Sequence, residues 1–167
     1  AEFVQTRDRT VRVGDALVPY DYLVLATGAV TNFYGIPGAE AYSFTLKTIS
    51  DAVKIKNHII SRVEHASHVT DQATRKKMLR FVVVGGGPTG VELAAELTEL
   101  VRETFSRYYP EEIRKDLSIV LVQKDKELVP QFGEKIRRKS LEVLREKGVE
   151  VMLQSAVKEV GADYIIL

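Results

Sequence analysis

Apolar positions along this chain follow two periods, and they change from one to the other several times. Phe3-Val4-Gln5-Thr6 and Thr10-Val11-Arg12-Val13 alternate in side-chain type, with turn chemistry at Asp8-Arg9 and Gly14-Asp15. Residues 1–28 therefore read as β structure, with Leu17-Val18-Pro19-Tyr20 as a third, short edge segment. Asp21-Tyr22-Leu23-Val24-Leu25-Ala26-Thr27-Gly28 is apolar without alternation, which predicts a strand buried on both faces. Residues 29–42 read as a loop broken by Asn32, Gly35, Pro37 and Gly38. Positions 52, 53, 55, 59, 60 and 63 are then apolar at near-helical spacing. Thr48 or Ser50 can cap that helix, and Asp51 suits its first turn. A polar stretch, 64–77, leads into the next apolar run.

That run, Leu79 to Val84, stops at a cluster of glycines, and a helical pattern starts at once and carries to about Phe105. Tyr108-Tyr109-Pro110 ends it, because proline disfavours a helical Tyr109. Leu117 to Val122 is the next buried strand. A helix from about Glu134 to Lys147 follows, apolar at Ile136, Leu141, Val143 and Leu144 and stopped at Gly148. Val149 to Leu153 is a third parallel strand, so 79–153 reads β-α-β-α-β, half of a doubly wound sheet. Residues 156–160 and 164–167 fit the first strands of an antiparallel meander.

The glycines carry the candidate chemistry. Gly85, Gly87 and Gly90 form G-x-G-x-x-G between a strand and a helix, the context in which the motif signals a dinucleotide site. Gly85 allows the tight turn, Gly87 lets a pyrophosphate approach the backbone, and Gly90 lets the helix pack closely. Pro88 suits the first helical position, where its missing N–H costs nothing. The free N–H groups and the positive end of the helix dipole then face a phosphate. The predicted fold class is α/β: a Rossmann-like three-layer dinucleotide-binding domain with a parallel sheet and an antiparallel β-meander.

Composition narrows the partners. At 167 residues the chain is ample for one core. It carries 24 Lys plus Arg against 23 Asp plus Glu, so no overall field favours nucleic acid or an anionic membrane. No apolar run approaches the ~20 residues that span a bilayer. The absence of cysteine removes disulfides, thiolate nucleophiles and Cys-ligated metal from this chain. His65 and His68 have no further placed ligand and read as solvated surface, so no metal site is expected. The basic tracts at 75–80 and 135–147 read as exposed helix faces without the aromatic platforms of a nucleic-acid site.

With these residues in hand, the chain resembles the two-dinucleotide flavoprotein reductases, and most closely the type II NADH:quinone dehydrogenases. Four stretches carry the likeness: Tyr20 to Ala29; Asn32-Phe33 through Ile36-Pro37-Gly38 with Leu46-Lys47-Thr48 and Asp51-Ala52; Val82 to Glu96 with its Gly-Pro-Thr-Gly-Val-Glu core; and Ile119 to Pro130. The resemblance implies that 1–45 is a remnant of the FAD-binding domain and the crossover, and that 46–167 is the NAD(P)H-binding domain with its meander cut short. On that view the chain is a piece of a longer enzyme, inactive by itself, in which hydride passes from NADH or NADPH to FAD and electrons pass on to a quinone. FAD is expected only in the full-length enzyme, and a peripheral seat on a respiratory membrane is implied for it. No acid, base or nucleophile of this chain is required, because the redox chemistry belongs to the cofactors. The alternatives are a sulfide-, ferredoxin- or disulfide-linked reductase of the same class, or a nucleotide-binding module without turnover.

The resemblance also assigns residues. The backbone at Gly85, Gly86, Gly87, Pro88, Thr89 and Gly90 cradles pyrophosphate. Glu92 lies near the nicotinamide end, or else only complements the helix dipole. Ala26-Thr27-Gly28 resembles a strand end that contacts FAD, which cannot hold flavin without its partner half and is expected here to be structural or disordered. Gln123 stands where an acid would accept hydrogen bonds from the adenosine ribose and repel a 2′-phosphate. A glutamine keeps a hydrogen-bonding group without that repulsion, and Lys124 and Lys126 can attract phosphate. NADPH is therefore expected to be tolerated, unless the lysines are merely solvated and Gln123 still prefers NADH. Uncovered apolar faces at 1–28 and in the meander predict self-association into a homo-oligomer.

Overall fold

Alternating β-branched and polar residues make the N-terminal strands pair locally. In the computed structural model, which describes residues 1–101, 103, 105 and 107–167, β1 (Phe3–Gln5), β2 (Thr10–Val13) and β3 (Ala16–Pro19) form an antiparallel sheet in that order. Val4 lies opposite Val11, and Val11 opposite Val18. This sheet belongs to a first compact unit, Ala1–Asn32, and the rest, Phe33–Leu167, forms a second.

One prediction for the first unit fails. Asp21 to Gly28 forms no strand, and Tyr22, Val24 and Leu25 are 95%, 85% and 70% exposed. A strand buried on both faces needs a hydrogen-bonded neighbour and cover above and below. The described residues give this stretch neither.

The second unit opens with α1 (Ala39–Tyr42), a turn of helix within the predicted loop, and α2 (Ile49–Ser67). Thr48 is the cap of α2: Asp51 N–H donates to its hydroxyl and Thr48 N–H donates back to the Asp51 carboxylate. Those bonds from Thr48 hold the Asp51 carboxyl below its ordinary range. The helix runs past the predicted end at Val63 because Ala66 is also buried. The polar stretch after it is largely helical, with α3 (Gln72–Met78) capped by Asp71, whose carboxylate accepts from Thr74 N–H at 2.8 Å.

The strand β4 (Arg80–Val84) leads through the glycines into α4 (Pro88–Glu99), then a π-helical stretch (Leu100–Phe105) and α5 (Ser106–Tyr108). A short α6 (Glu111–Asp116), absent from the sequence reading, precedes β5 (Ser118–Val122). Then come α7 (Glu134–Glu146), β6 (Glu150–Met152), and the antiparallel pair β7 (Glu159–Val160) and β8 (Ile165–Ile166). Strands β4, β5 and β6 are parallel and lie in that order, with Val83 opposite Leu121 and Leu121 opposite Val151. The α/β class and the β-α-β-α-β order are as the sequence predicts.

A single apolar cluster joins the sheet to the helices: Ile59, Val63 and Ala66 of α2, Val83 of β4, Ala94 and Leu97 of α4, and Leu144 of α7. Burying each Leu or Val there contributes about 1.5–3 kcal/mol. Strand alternation turns Val82 and Val84 to the other face, where they are 37% and 55% exposed. Beneath the cluster, α3 and α6 are clasped by charge. The buried Asp116 accepts from Arg75 Nε at 2.6 Å and from Gln72 Nε2 at 3.0 Å. Burial alone would raise the Asp116 carboxyl, but the bonds from Arg75 and Gln72 outweigh it and hold it below its ordinary range.

Candidate functional site

The glycine loop begins where the β4–β5 ladder ends. Gly85 N–H donates to Val122 C=O at 2.8 Å, and Gly85 then turns at φ +102°, a conformation that side chains oppose. The chain enters α4 with Gly87 at the cap and Pro88 in the first turn. The first intrahelical bond is Val91 N–H to Gly87 C=O at 3.0 Å, so the N–H groups of Thr89 and Gly90 come before the ladder and point out of the helix end. A Cβ on Gly90 would sit 1.9 Å from the Gly85 carbonyl oxygen, so the close packing expected there is present. A Cβ on Gly87 would meet nothing within 4 Å, which leaves that side of the loop open to a ligand. The residues present fit a pyrophosphate: small, uncharged, and rich in outward N–H donors at a helix N-terminus.

The loop after β5 holds the glycine loop from the side. Gly86 N–H donates to Gln123 Oε1 at 3.0 Å, and Val129 N–H donates to Gly86 C=O at 2.7 Å. Leu128 and Val129, both buried, pack behind this junction. Gln123 is itself only 7% exposed. Its Nε2 donates to Asp125 Oδ2 at 2.9 Å and reaches the Glu127 carbonyl at 3.5 Å. The structure thus differs from the sequence expectation for Gln123. Its amide bonds to the protein through both Oε1 and Nε2, and the side chain is buried at the strand end instead of standing exposed at the rim.

The other predicted residues divide by place. Lys124 is exposed and its ammonium stands 5.9 Å from the centroid of the Tyr34 ring, and Lys126 is exposed as well. Glu92 is exposed on α4 and shares with Thr89 a groove of about 320 Å³ between α2 and α4, lined on its apolar side by Leu46, Ile55 and Leu93. Ala26, Thr27 and Gly28 lie in the first unit, exposed and outside any strand. His65 uses Nδ1 to donate to the Ser61 carbonyl at 2.6 Å. Asp125, which the sequence analysis does not single out, is the residue that the structure adds beside the loop, as the acceptor for Gln123 Nε2. Its signal was the Gln-x-Asp spacing at the end of a buried strand.

Comparison with known proteins agrees with this geometry. The chain is 34% identical over 148 residues to an external alternative NADH-ubiquinone oxidoreductase of Yarrowia lipolytica, covering 89% of the chain and 25% of that protein. It is 41% identical over 146 residues to the external alternative NAD(P)H-ubiquinone oxidoreductase B2 of Arabidopsis thaliana, covering 86% of the chain and 25% of that protein. Its fold matches NDH2 from Plasmodium falciparum, solved in complex with NADH, with a TM-score of 0.78 and 32% identity over 88% of this chain and 30% of that one. The chain therefore spans about a quarter of the length of these curated relatives. The family model for pyridine nucleotide-disulphide oxidoreductases matches residues 2–165, nearly the whole sequence. With that match, the glycine loop and the parallel β4-β5-β6 sheet, the chain belongs to the pyridine nucleotide-disulphide oxidoreductase family.

Proposed function

We propose that residues 46–167 are the NAD(P)H-binding domain of a longer flavoprotein oxidoreductase that passes hydride from NADH or NADPH to FAD and then electrons to a quinone. Residues 1–45 would belong to its FAD-binding half and the crossover. The observation that carries the reading is the glycine loop, whose open side at Gly87 meets the unbonded first turn of α4. The likeness to NADH-ubiquinone oxidoreductases supports the choice of quinone as acceptor.

In this reading the loop from Gly85 to Gly90 cradles the pyrophosphate, with the outward backbone N–H groups of Thr89 and Gly90 as donors and Gly87 leaving room for its approach. Gln123 and Lys124 border the adenosine end, and Glu92 borders the nicotinamide end. The nicotinamide and the flavin supply the redox chemistry, and this chain contributes binding and orientation. The described residues make no flavin cradle of their own: Ala26, Thr27 and Gly28 are exposed and lack a strand to hold them. The longer protein would provide that cradle and a peripheral seat on a respiratory membrane. Among the described residues, no helix is long and apolar enough to cross one. Calorimetric titration of the protein with NADH and NADPH tests the dinucleotide site. Saturable binding of at least one is expected, and binding of neither overturns the reading.

A further inference from the structure

We propose that Asp125, and not Gln123, is the carboxylate that reads the adenosine ribose, so that this site selects NADH over NADPH. The assignment rests on the dinucleotide reading above and goes beyond it by naming the residue that chooses between the two cofactors.

Gln123 is already engaged by the protein. It is buried, its Oε1 is bonded to Gly86 N–H, and its Nε2 is bonded to Asp125. Its second Nε2 hydrogen reaches the Glu127 carbonyl, so only one lone pair of the buried Oε1 is left for a ribose hydroxyl. The same two bonds place a carboxylate beside the glycine loop, because Asp125 Oδ2 is separated from the Gly86 N–H by no more than one side-chain amide.

Asp125 is fixed from the backbone as well. Its carbonyl accepts from Gln154 N–H at 3.0 Å, Gln123 C=O accepts from Ser155 N–H at 2.9 Å, and Gln123 N–H donates to Met152 C=O at 2.9 Å. The turn that carries Asp125 is thus sewn to the chain leaving β6. Its side chain remains exposed, with Gln123 Nε2 donating to the carboxylate.

The neighbouring charges leave Asp125 to act. Glu127 is paired with Arg137 at 3.2 Å, and Lys124 is drawn to the Tyr34 ring. Lys126, like Lys124, is exposed to solvent. A carboxylate held in this way accepts from vicinal ribose hydroxyls and repels a 2′-phosphate, which carries close to two negative charges at neutral pH. Gln123 then has a different task from the one its position suggests. It is a positioning residue that holds both the glycine loop and the reading carboxylate.

The test is the ratio of the NADPH and NADH dissociation constants, measured by equilibrium titration of the protein and its variants. Wild type is expected to bind NADH more tightly. Asp125→Asn keeps an acceptor for Gln123 Nε2 but removes the charge, and is expected to move the ratio toward NADPH by on the order of tenfold. Asp125→Ala should move it the same way, which separates loss of charge from any new bond made by the asparagine. Gln123→Met should also shift the ratio toward NADPH, and should add nothing in the Asp125→Asn background. Tight NADH binding with an unchanged ratio in both Asp125 variants overturns the assignment and leaves the dinucleotide reading standing. Failure of wild type to bind either dinucleotide overturns both.

Discussion

At the scale of single residues, the glycine loop works by exclusion. Gly90 has no room for a methyl group, since the Gly85 carbonyl already occupies that space. Gly90→Ala must push either the loop or α4 away, and is expected to cost about 1–3 kcal/mol of stability as an overpacked contact. The same shift would misalign the outward N–H groups of Thr89 and Gly90, so dinucleotide affinity should fall by more than the loss of stability accounts for. Thermal melting and NADH titration of this one variant check both statements. A variant that melts earlier but binds normally would show that the loop tolerates the displacement. Residue identity also made this part of the site legible, because G-x-G-x-x-G between strand and helix has few other uses. Gln123 was legible only as a position. Its burial and its amide bonds depend on Gly86, Asp125 and Glu127, and on how the strand end is turned.

At the scale of elements, the helices that periodicity predicted are those with an apolar stripe, α2, α4 and α7. Among the short helices that it missed, α3 and α6 are highly charged, and Asp116 holds them together. Their signal lies in pairing across 41 residues, which no local window reports. The sign of their pH dependence follows from the lowered Asp116 carboxyl. A carboxyl lowered in the folded state stabilises the fold above its unfolded value, near pH 4, and that contribution is lost as pH falls through the folded value. Urea midpoints taken from neutral pH down to about pH 3 should therefore drop in wild type. Asp116→Asn should begin lower at neutral pH, since Arg75 loses its counter-charge, and should lose less over the same range. Parallel curves for the two proteins would show that this clasp does not carry the acid sensitivity.

At the scale of the whole molecule, the two units differ in how well each covers its own apolar residues. The second unit buries Leu79, Leu121, Leu128 and Leu144 almost completely. The first leaves Tyr22, Val24 and Leu25 in solvent, and Phe3 and Leu17 on its sheet are about as open as they are covered, at 60% and 59% exposed. Apolar surface of this kind finds partners. Sedimentation velocity of the 167-residue chain over a wide concentration range is expected to show reversible self-association. Point substitution of Val24 and Leu25 by serine is expected to suppress it. A strictly monomeric boundary at high concentration would count against this expectation. In the longer enzyme proposed above, the flavin-binding half would cover the same residues.

The sequence by itself determined the order of the central elements, because alternation and helical spacing are local and the β4-β5-β6 strands are apolar enough to be read as buried. It also determined the glycine loop, where Gly85 takes a positive φ and Gly90 packs against the Gly85 carbonyl, both within one short stretch of chain. Tertiary structure alone decided three further matters. It left Asp21 to Gly28 out of any strand, since a strand exists only where another chain segment pairs with it. It turned a polar stretch into helices through one buried ion pair. It also took Gln123 into the interior and set Asp125 at its amide, because hydrogen-bond partners distant in sequence become neighbours only once the sheet has formed.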